Sequence, residues 1–389
     1  MELELNTEVA VHRKLALFGG LLIVLVGTSS SSHAADDEAR SQPVRGVWLA
    51  SVGSDSLYSK PALEKVVKRC SEVGINTIFV VTWNRGYTLY PSPIMEREFG
   101  VRIDPQLEGR DPLRELIELA HAENIEVHAW FEFGFSSSYQ QPDGGHLLKK
   151  RSQWAALNAR GKLVERNGFQ WMNGFDPKVQ SFVLAMMKEV VANYDIDGVQ
   201  GDDRLPAMPN TGGYDPQTVA QYKNEHNGSS PPSDPTDAEW VQWRADKFSL
   251  FVERAYRELK ALDPDLCVSW APSVWPWSRD QYLQDWPRWA REGWGDMFCP
   301  QVYRRDLDAY RQTLASVKQQ VPADVLPKIV PGQLIALADG YDLPSDHVRA
   351  AVEINRQLGF QGELFFYYQG LQQHSEVFDS LYTSKDDRP

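Results

Sequence analysis

Along the 389 residues, eight short runs of apolar, β-branched and aromatic residues alternate with seven longer runs whose apolar positions fall at helical spacing. The extended runs are Arg45–Ala50, Ile75–Trp83, Ile125–Phe133, Gly198–Gly201, Leu266–Ala271, Met297–Tyr303, Leu326–Gln333 and Glu363–Tyr368. Helical runs follow over Lys60–Val73, Leu113–Glu123, Pro177–Asn193, Asp237–Leu262, Arg279–Arg291, Leu307–Gln320 and Ser345–Leu358. Strands alternating with helices imply parallel pairing. Eight such strands predict an α/β fold, the closed (β/α)8 TIM barrel. A doubly wound open sheet would be expected to carry a Gly-rich phosphate loop after an early strand, and none is present. Turns into the strands are short (Gly74, Asn124, Gly359–Gly362), whereas the loops after strands 2, 3 and 4 are long. Those loops span Asn84–Arg110, Gly134–Asp176 and Leu205–Pro235. Loops leaving the C-terminal ends of barrel strands are where such folds build their sites.

The chain's beginning reads separately. Arg13 and Lys14 precede the apolar run Leu15–Val26, and small residues follow through Ala35. That order predicts a secretory signal over residues 1–34, cleaved after Ala34. The apolar run is shorter than the ~20 residues that span a bilayer, so no stable membrane insertion is expected after cleavage. The expected organisation is a polar lead-in at 35–44, one barrel over 45–382 and a short tail at 383–389, in a periplasmic or extracellular protein. A hydrophobic fraction of 42% suffices for one large core. The formal charge of -13, with no basic cluster, argues against nucleic acid or an anionic membrane as partner. Cys70, Cys267 and Cys299 lie inside regular elements and read as small core residues.

Polar residues gather at the strand ends. Strand 4 runs through YDIDGVQGDDR (Tyr194–Arg204) and finishes on Asp202, Asp203 and Arg204. Strand parity places Asp202 with Gln200 and sets Asp203 on the other face. By the same parity His128, Trp130 and Glu132 share a face of strand 3. Strand 1 carries Trp48; strand 2 ends in Trp83 and Asn84; strand 5 in Trp270; strand 6 in Gln301 and Tyr303; strand 8 near Tyr368. Two or three carboxylates amid aromatic residues suit glycoside cleavage. One carboxyl donates a proton to the leaving oxygen and the other acts, ionised, as nucleophile or base. Asp202 and Glu132 are the candidate catalytic pair, with Asp203 beside them. Burial of Glu132 would raise its pKa, as a general acid requires. The candidate substrate contacts are Trp48, Trp83, Asn84, His128, Trp130, Gln200, Arg204, Trp270, Gln301, Tyr303 and Tyr368. Tryptophan faces suit sugar rings, and thirteen tryptophans favour a carbohydrate groove. Each of them also has a core reading, His128 reads as a core histidine before a catalyst, and Asp202 could instead form a structural ion pair with Arg204.

Other chemistries are weakly served. Asp202, Asp203 and His128 could be imagined around a divalent ion, but no His-x-His or His-x-x-x-His spacing supports a metal, and no cofactor is expected. No G-x-S-x-G elbow is present for a nucleophilic serine. In the α-amylase pattern D-G-x-R-x-D, Asp202 aligns with the nucleophile, but Gln200 replaces the arginine. In the chitinase pattern D-G-x-D-x-D-x-E, Arg204 stands where the acid would be, and a guanidinium cannot donate a proton usefully.

The segments RGVWLA, GINTIFVVTW, HAWFEFGF, YDIDGVQGDDR, WVQWRADK and QVYRRDL, in that order, resemble the glycosyl hydrolase-like 10 family over roughly Val44–Leu371. The resemblance implies an exported bacterial barrel, and some such proteins cleave peptidoglycan glycan strands stripped of peptides. Many members carry Asn where this chain has Glu132, which leaves that residue a subfamily role. The resulting expectation is an exported glycoside hydrolase acting on a polysaccharide. A non-catalytic glycan-binding barrel and a hydrolase of another extracellular glucan are the alternatives.

Overall fold

A computed structural model of the protein describes residues 42–337 and 343–382. The expected signal at 1–34, most of the lead-in and the tail at 383–389 lie outside the described residues. Eight parallel strands carry the architecture: β1 Arg45–Leu49, β2 Thr77–Val81, β3 Glu126–Phe131, β4 Gly198–Gly201, β5 Cys267–Trp270, β6 Met297–Phe298, β7 Gly332–Leu334 and β8 Glu363–Phe366. They pair in the order β6-β5-β4-β3-β2-β1-β8-β7. Parallel bridges Phe298–Ile329 and Gln301–Gly332 join the two ends of that order, so the ladder closes into the expected barrel. Closure leaves the sheet no free edge.

Helices pack outside. Those that matter here are α1 Lys60–Glu72, α2 Pro112–His121, α3 Pro177–Asn193, α4 Ala238–Leu262, α5 Trp286–Arg291, α6 Leu307–Gln320 and α7 Ser345–Leu358. Their starts are written locally. Asp111, Asp176 and Asp237 each accept a backbone N–H of the first helical turn, and proline follows the first two of these caps. Gly359, at φ 88°, ends α7 in the left-handed conformation that disfavours other residues.

The barrel interior is aromatic. Trp48 lies 6.0 Å from Trp130 and 6.3 Å from Phe79, and Phe79 is 4.7 Å from His128. Gln200 accepts the Trp48 indole N–H at 2.8 Å and donates to Ser269 at 3.1 Å. A polar side chain at the centre of the barrel is thus satisfied on both its atoms, which removes the penalty of burying it. Cys70 and Cys299 are buried free thiols.

Several departures from the sequence reading concern element ends, and strand 6 is one, stopping at Phe298 rather than Tyr303. The expected helix 279–291 is two helices, Trp277–Tyr282 and α5, parted at Leu283, whose φ is 66°. Strand 7 begins only at Gly332, because Pro327 sits in a 3-10 turn, Leu326–Lys328, ahead of it. Strand 8 stops at Phe366, and Tyr368 opens a helix. The long loops after β2, β3 and β4 are as expected but not structureless. They hold a hairpin (Trp83–Asn84 with Tyr87–Thr88), an antiparallel three-stranded sheet and the helix Pro216–Glu225. Buried Arg244 on α4 binds the third loop, donating to the carbonyls of Asn210, Gly212 and Pro235.

Candidate active site

The site is built where β3 and β4 run out side by side, in the register Phe131–Gly201. Gly201 must be small there, since a Cβ would stand 2.5 Å from the Trp270 ring. The next three residues carry the charge. Arg204 Nη2 lies 3.2 Å from Glu132 Oε1 and 3.2 Å from Asp202 Oδ2, while Nη1 lies 3.1 Å from Asp203 Oδ1. Its Nε also donates to the Glu132 backbone carbonyl at 3.0 Å, and its guanidinium covers the Phe169 ring. Glu132 and Asp202 therefore share one nitrogen. Their nearest oxygens are no more than about twice 3.2 Å apart, inside the ~9.5 Å reach of paired carboxyl groups in glycosidases.

Backbone packing holds this arginine in place. Gly134 sits at φ 52°, and a Cβ on it would fall 1.9 Å from the Arg204 carbonyl oxygen. Only glycine allows that approach. The same carbonyl accepts the N–H of Phe135 at 3.0 Å. The glycine in WFEFGF is thus a seat for the strand 4 segment.

Each carboxylate has further donors. Asn84 donates its side-chain amide to Glu132 Oε2. Gln301 reaches from beyond β6 to Asp202 Oδ1 at 2.8 Å, and Gln284, at the break before α5, donates to the Asp202 carbonyl at 2.9 Å. Burial pushes the Asp202 carboxyl well above the usual range, with the charge of Asp203 adding to it and Arg204 opposing. Burial likewise raises Glu132, again against the pull of Arg204. Three carboxyl groups around one guanidinium would otherwise leave excess negative charge out of water, which favours a retained proton.

Beside this cluster opens a cleft of about 270 Å³. Glu132 and Asn84 border it, together with Arg85, Asn167 and the rings of Tyr139, Phe169, Phe366 and Tyr367. Asp202 does not border it. With 2% exposure, Asp202 stands one layer below, at the mouth end of the barrel.

Several sequence expectations are corrected. Trp48 and Trp83 are 0% exposed, Trp130 2% and Trp270 1%, so none offers a face to sugar. Trp48 and Trp130 fill the barrel interior. Trp83 packs on Phe182 of α3 and Trp270 on Trp289 of α5, facing the helical layer. Gln200 and His128 are also interior residues rather than substrate contacts. His128 pairs in register with Gly198, four residues before Asp202, so the imagined Asp202–Asp203–His128 metal set is not assembled. Among the described residues no group of three His, Cys, Asp or Glu is placed to hold a metal ion. Tyr368 is buried and takes a hydrogen bond from Gln372 of its own helix, while its neighbour Tyr367 borders the cleft. Asn84, Glu132, Asp202, Asp203, Arg204 and Gln301 are brought together as expected. Tyr303 stands close by, its ring 5.6 Å from Phe366 and its hydroxyl pKa raised by burial and by Asp202.

The glycosyl hydrolase-like 10 family model matches residues 43–346, most of the chain. The chain belongs to the glycosyl hydrolase-like 10 family. Two relatives of this glycosyl hydrolase-like 10 protein carry the name glycosyl hydrolase. DigH of Escherichia coli K12 is 24% identical over 314 residues, spanning 71% of this chain and 69% of that protein. YngK of Bacillus subtilis 168 is 28% identical over 317 residues, spanning 73% of this chain and 58% of that one. Among solved structures, the PgaB (BpsB) glycoside hydrolase domain of Bordetella bronchiseptica superposes with a TM-score of 0.66 at 14% identity. It matches 88% of this chain and 99% of that domain. At that identity the likeness speaks for the fold, a barrel shared with glycoside hydrolases.

In this family member the residues that sequence reading missed are the cleft walls. Tyr139, Asn167 and Phe169 come from the small antiparallel sheet after β3, which no strand-end argument could have placed over the mouth. Trp277, 46% exposed, is the tryptophan that does offer a face. It is linked to the cleft through Tyr282, 5.2 Å away, whose hydroxyl accepts from Asn167 at 3.4 Å.

Proposed function

We propose that this protein is an exported hydrolase of glycosidic bonds in a polysaccharide, with peptidoglycan glycan strands as leading substrate and Glu132 and Asp202 as its acid/base pair. The observation that carries the reading is the sharing of one guanidinium by buried Asp202 and part-buried Glu132, the latter bordering the cleft. Glycoside cleavage needs a proton for the departing oxygen and negative charge facing the sugar carbon as it becomes positive. Glu132, raised by burial against the pull of Arg204 and held by Asn84 at the cleft wall, is the proposed donor that meets the substrate. Asp202, oriented by Gln301 and Arg204 one layer below the cleft, is the proposed partner carboxyl group. Arg204 offsets the carboxylates, so the proposed chemistry calls for no metal. The peptidoglycan assignment rests on the motif resemblance and the export assignment on the leader sequence.

A glycan-binding barrel without turnover is the second reading, favoured by the burial of Asp202. The test is reducing-end release by purified protein from denuded peptidoglycan strands, chitin and α-glucan side by side. Release from the denuded strands above the other two is expected. Release from chitin or α-glucan alone would overturn the substrate, and binding without release from any of them would leave the second reading standing.

A further inference from the structure

We infer that Arg85 is a specificity residue that reads a carboxylate on the sugar bound in the cleft, so that the substrate class is an acidic glycan; this rests on the hydrolase reading of the same site. Arg85 is the second of the four-residue segment Asn84–Arg85–Gly86–Tyr87, which closes the hairpin after β2. Both central residues have positive φ, 50° at Arg85 and 81° at Gly86. Such a turn strongly prefers Asn, Asp or Gly at its first central position, and arginine is strained there.

The turn is nonetheless held firmly. The Gly86 carbonyl is 2.8 Å from His146 Nε2, and the Tyr87 ring stacks on His146 at 4.5 Å. A rigid turn thus holds an exposed guanidinium at the cleft wall, one residue from Asn84, which presents Glu132. In a chain of net charge -13, arginines elsewhere are commonly matched to carboxylates. Arg85 makes no ion pair within 4 Å among the described residues; its guanidinium lies 5.9 Å from the Tyr139 ring, and its charge reaches Glu132 only at longer range. Apart from Glu132, the rest of the cleft lining is uncharged. An unpaired planar fork of donors beside rings that stack on sugar is the arrangement that recognises a carboxylate in two parallel hydrogen bonds.

The test compares denuded peptidoglycan strands, whose lactyl ethers carry free carboxylates, with the same strands after amidation of those groups. Arg85→Asn is the informative variant, since asparagine suits the turn and removes the charge; its Tm is expected to be unchanged or raised. Wild type is expected to prefer the free acid, and the variant to raise KM on that substrate roughly ten- to hundredfold with kcat little changed. The preference over amidated strands should collapse with it. Binding of a short acidic fragment, measured by calorimetry, gives a readout independent of turnover. If wild type releases no reducing ends but binds the acidic fragment more tightly than its amide, and Arg85→Asn abolishes the difference, the hydrolase reading falls and the role of Arg85 stands. Equal handling of acid and amide by wild type overturns the inference. So does a variant that keeps the wild-type preference and moves only its pH profile, which would assign Arg85 to the charge balance of the Glu132 cluster.

Discussion

Gln301 donates its side-chain N–H to Asp202 Oδ1 at 2.8 Å, bridging from the end of β6 to the end of β4. The same nitrogen donates to the Ala271 carbonyl at 3.0 Å, so the amide is fixed between two strand ends and cannot swing. Asp202 is therefore held from opposite sides, by a neutral donor and by Arg204. Replacing Gln301 by Leu leaves a buried carboxylate oxygen and a carbonyl short of a donor, at about 1–3 kcal/mol. The expected outcome is a folded enzyme whose kcat falls ten- to hundredfold while KM changes little. Steady-state kinetics on denuded strands checks it.

The buried acids also set a pH dependence of stability. Burial raises Asp202, with Asp203 adding to the effect, and burial raises Glu132. An acid with a higher pKa in the fold than in the unfolded chain stabilises the fold while protonated. That contribution is complete below the unfolded value of ~4 and is lost as pH rises toward the folded pKa. Wild-type Tm should therefore carry a component that declines from about pH 4 upward. Asp202→Asn removes one such group, so its Tm relative to wild type should improve with rising pH. Thermal melts across pH 4 to 8 measure that difference; a difference independent of pH would contradict the buried-acid account.

Gly134 is expected to tolerate no side chain. Alanine would place its Cβ 1.9 Å from the Arg204 carbonyl oxygen, in a backbone conformation L-residues avoid. The contact is with backbone, so relief requires moving the strand 4 segment itself. Gly134→Ala should cost about 3 kcal/mol or more, or abolish folding, and any folded fraction should lose activity with it. Denaturant unfolding beside activity resolves the two.

Trp48 distinguishes a packing role from a sugar-stacking one. Its indole N–H donates to Gln200 inside the barrel, and the ring is 0% exposed. Trp48→Phe should lower stability by about 1–3 kcal/mol, through the unpaired Gln200 oxygen, with KM unchanged. Trp277→Ala should do the reverse, leaving Tm nearly constant while weakening binding of long strands. Affinity measured against strand length in both variants separates these outcomes.

The barrel was legible because its signals are local. Apolar spacing, Asp-Pro caps and short turns before strands each act within a few residues, and they located every barrel strand and seven of the helices outside it. The carboxylates were legible because charge at a strand end has few structural uses. Parity grouped His128, Trp130 and Glu132 on one face, although the strand itself ends at Phe131. It could not show that the first two lie within the barrel while Glu132 alone clears its rim. Trp83 and Trp270 were misplaced because they face the helical layer, a direction set by barrel closure. The cleft walls depend on a β-sheet inserted after β3 and on the hairpin bearing Arg85, both fixed by tertiary contacts such as His146 with Gly86.

The most direct measurement is reducing-end release from denuded peptidoglycan strands by wild type, Glu132→Gln and Asp202→Asn, each first shown to be folded by its melt. The account predicts release by wild type and at least a hundredfold loss in both variants, with short acidic fragments still bound. Wild-type turnover by either folded variant would remove that carboxyl group from the chemistry and contradict the paired-acid site.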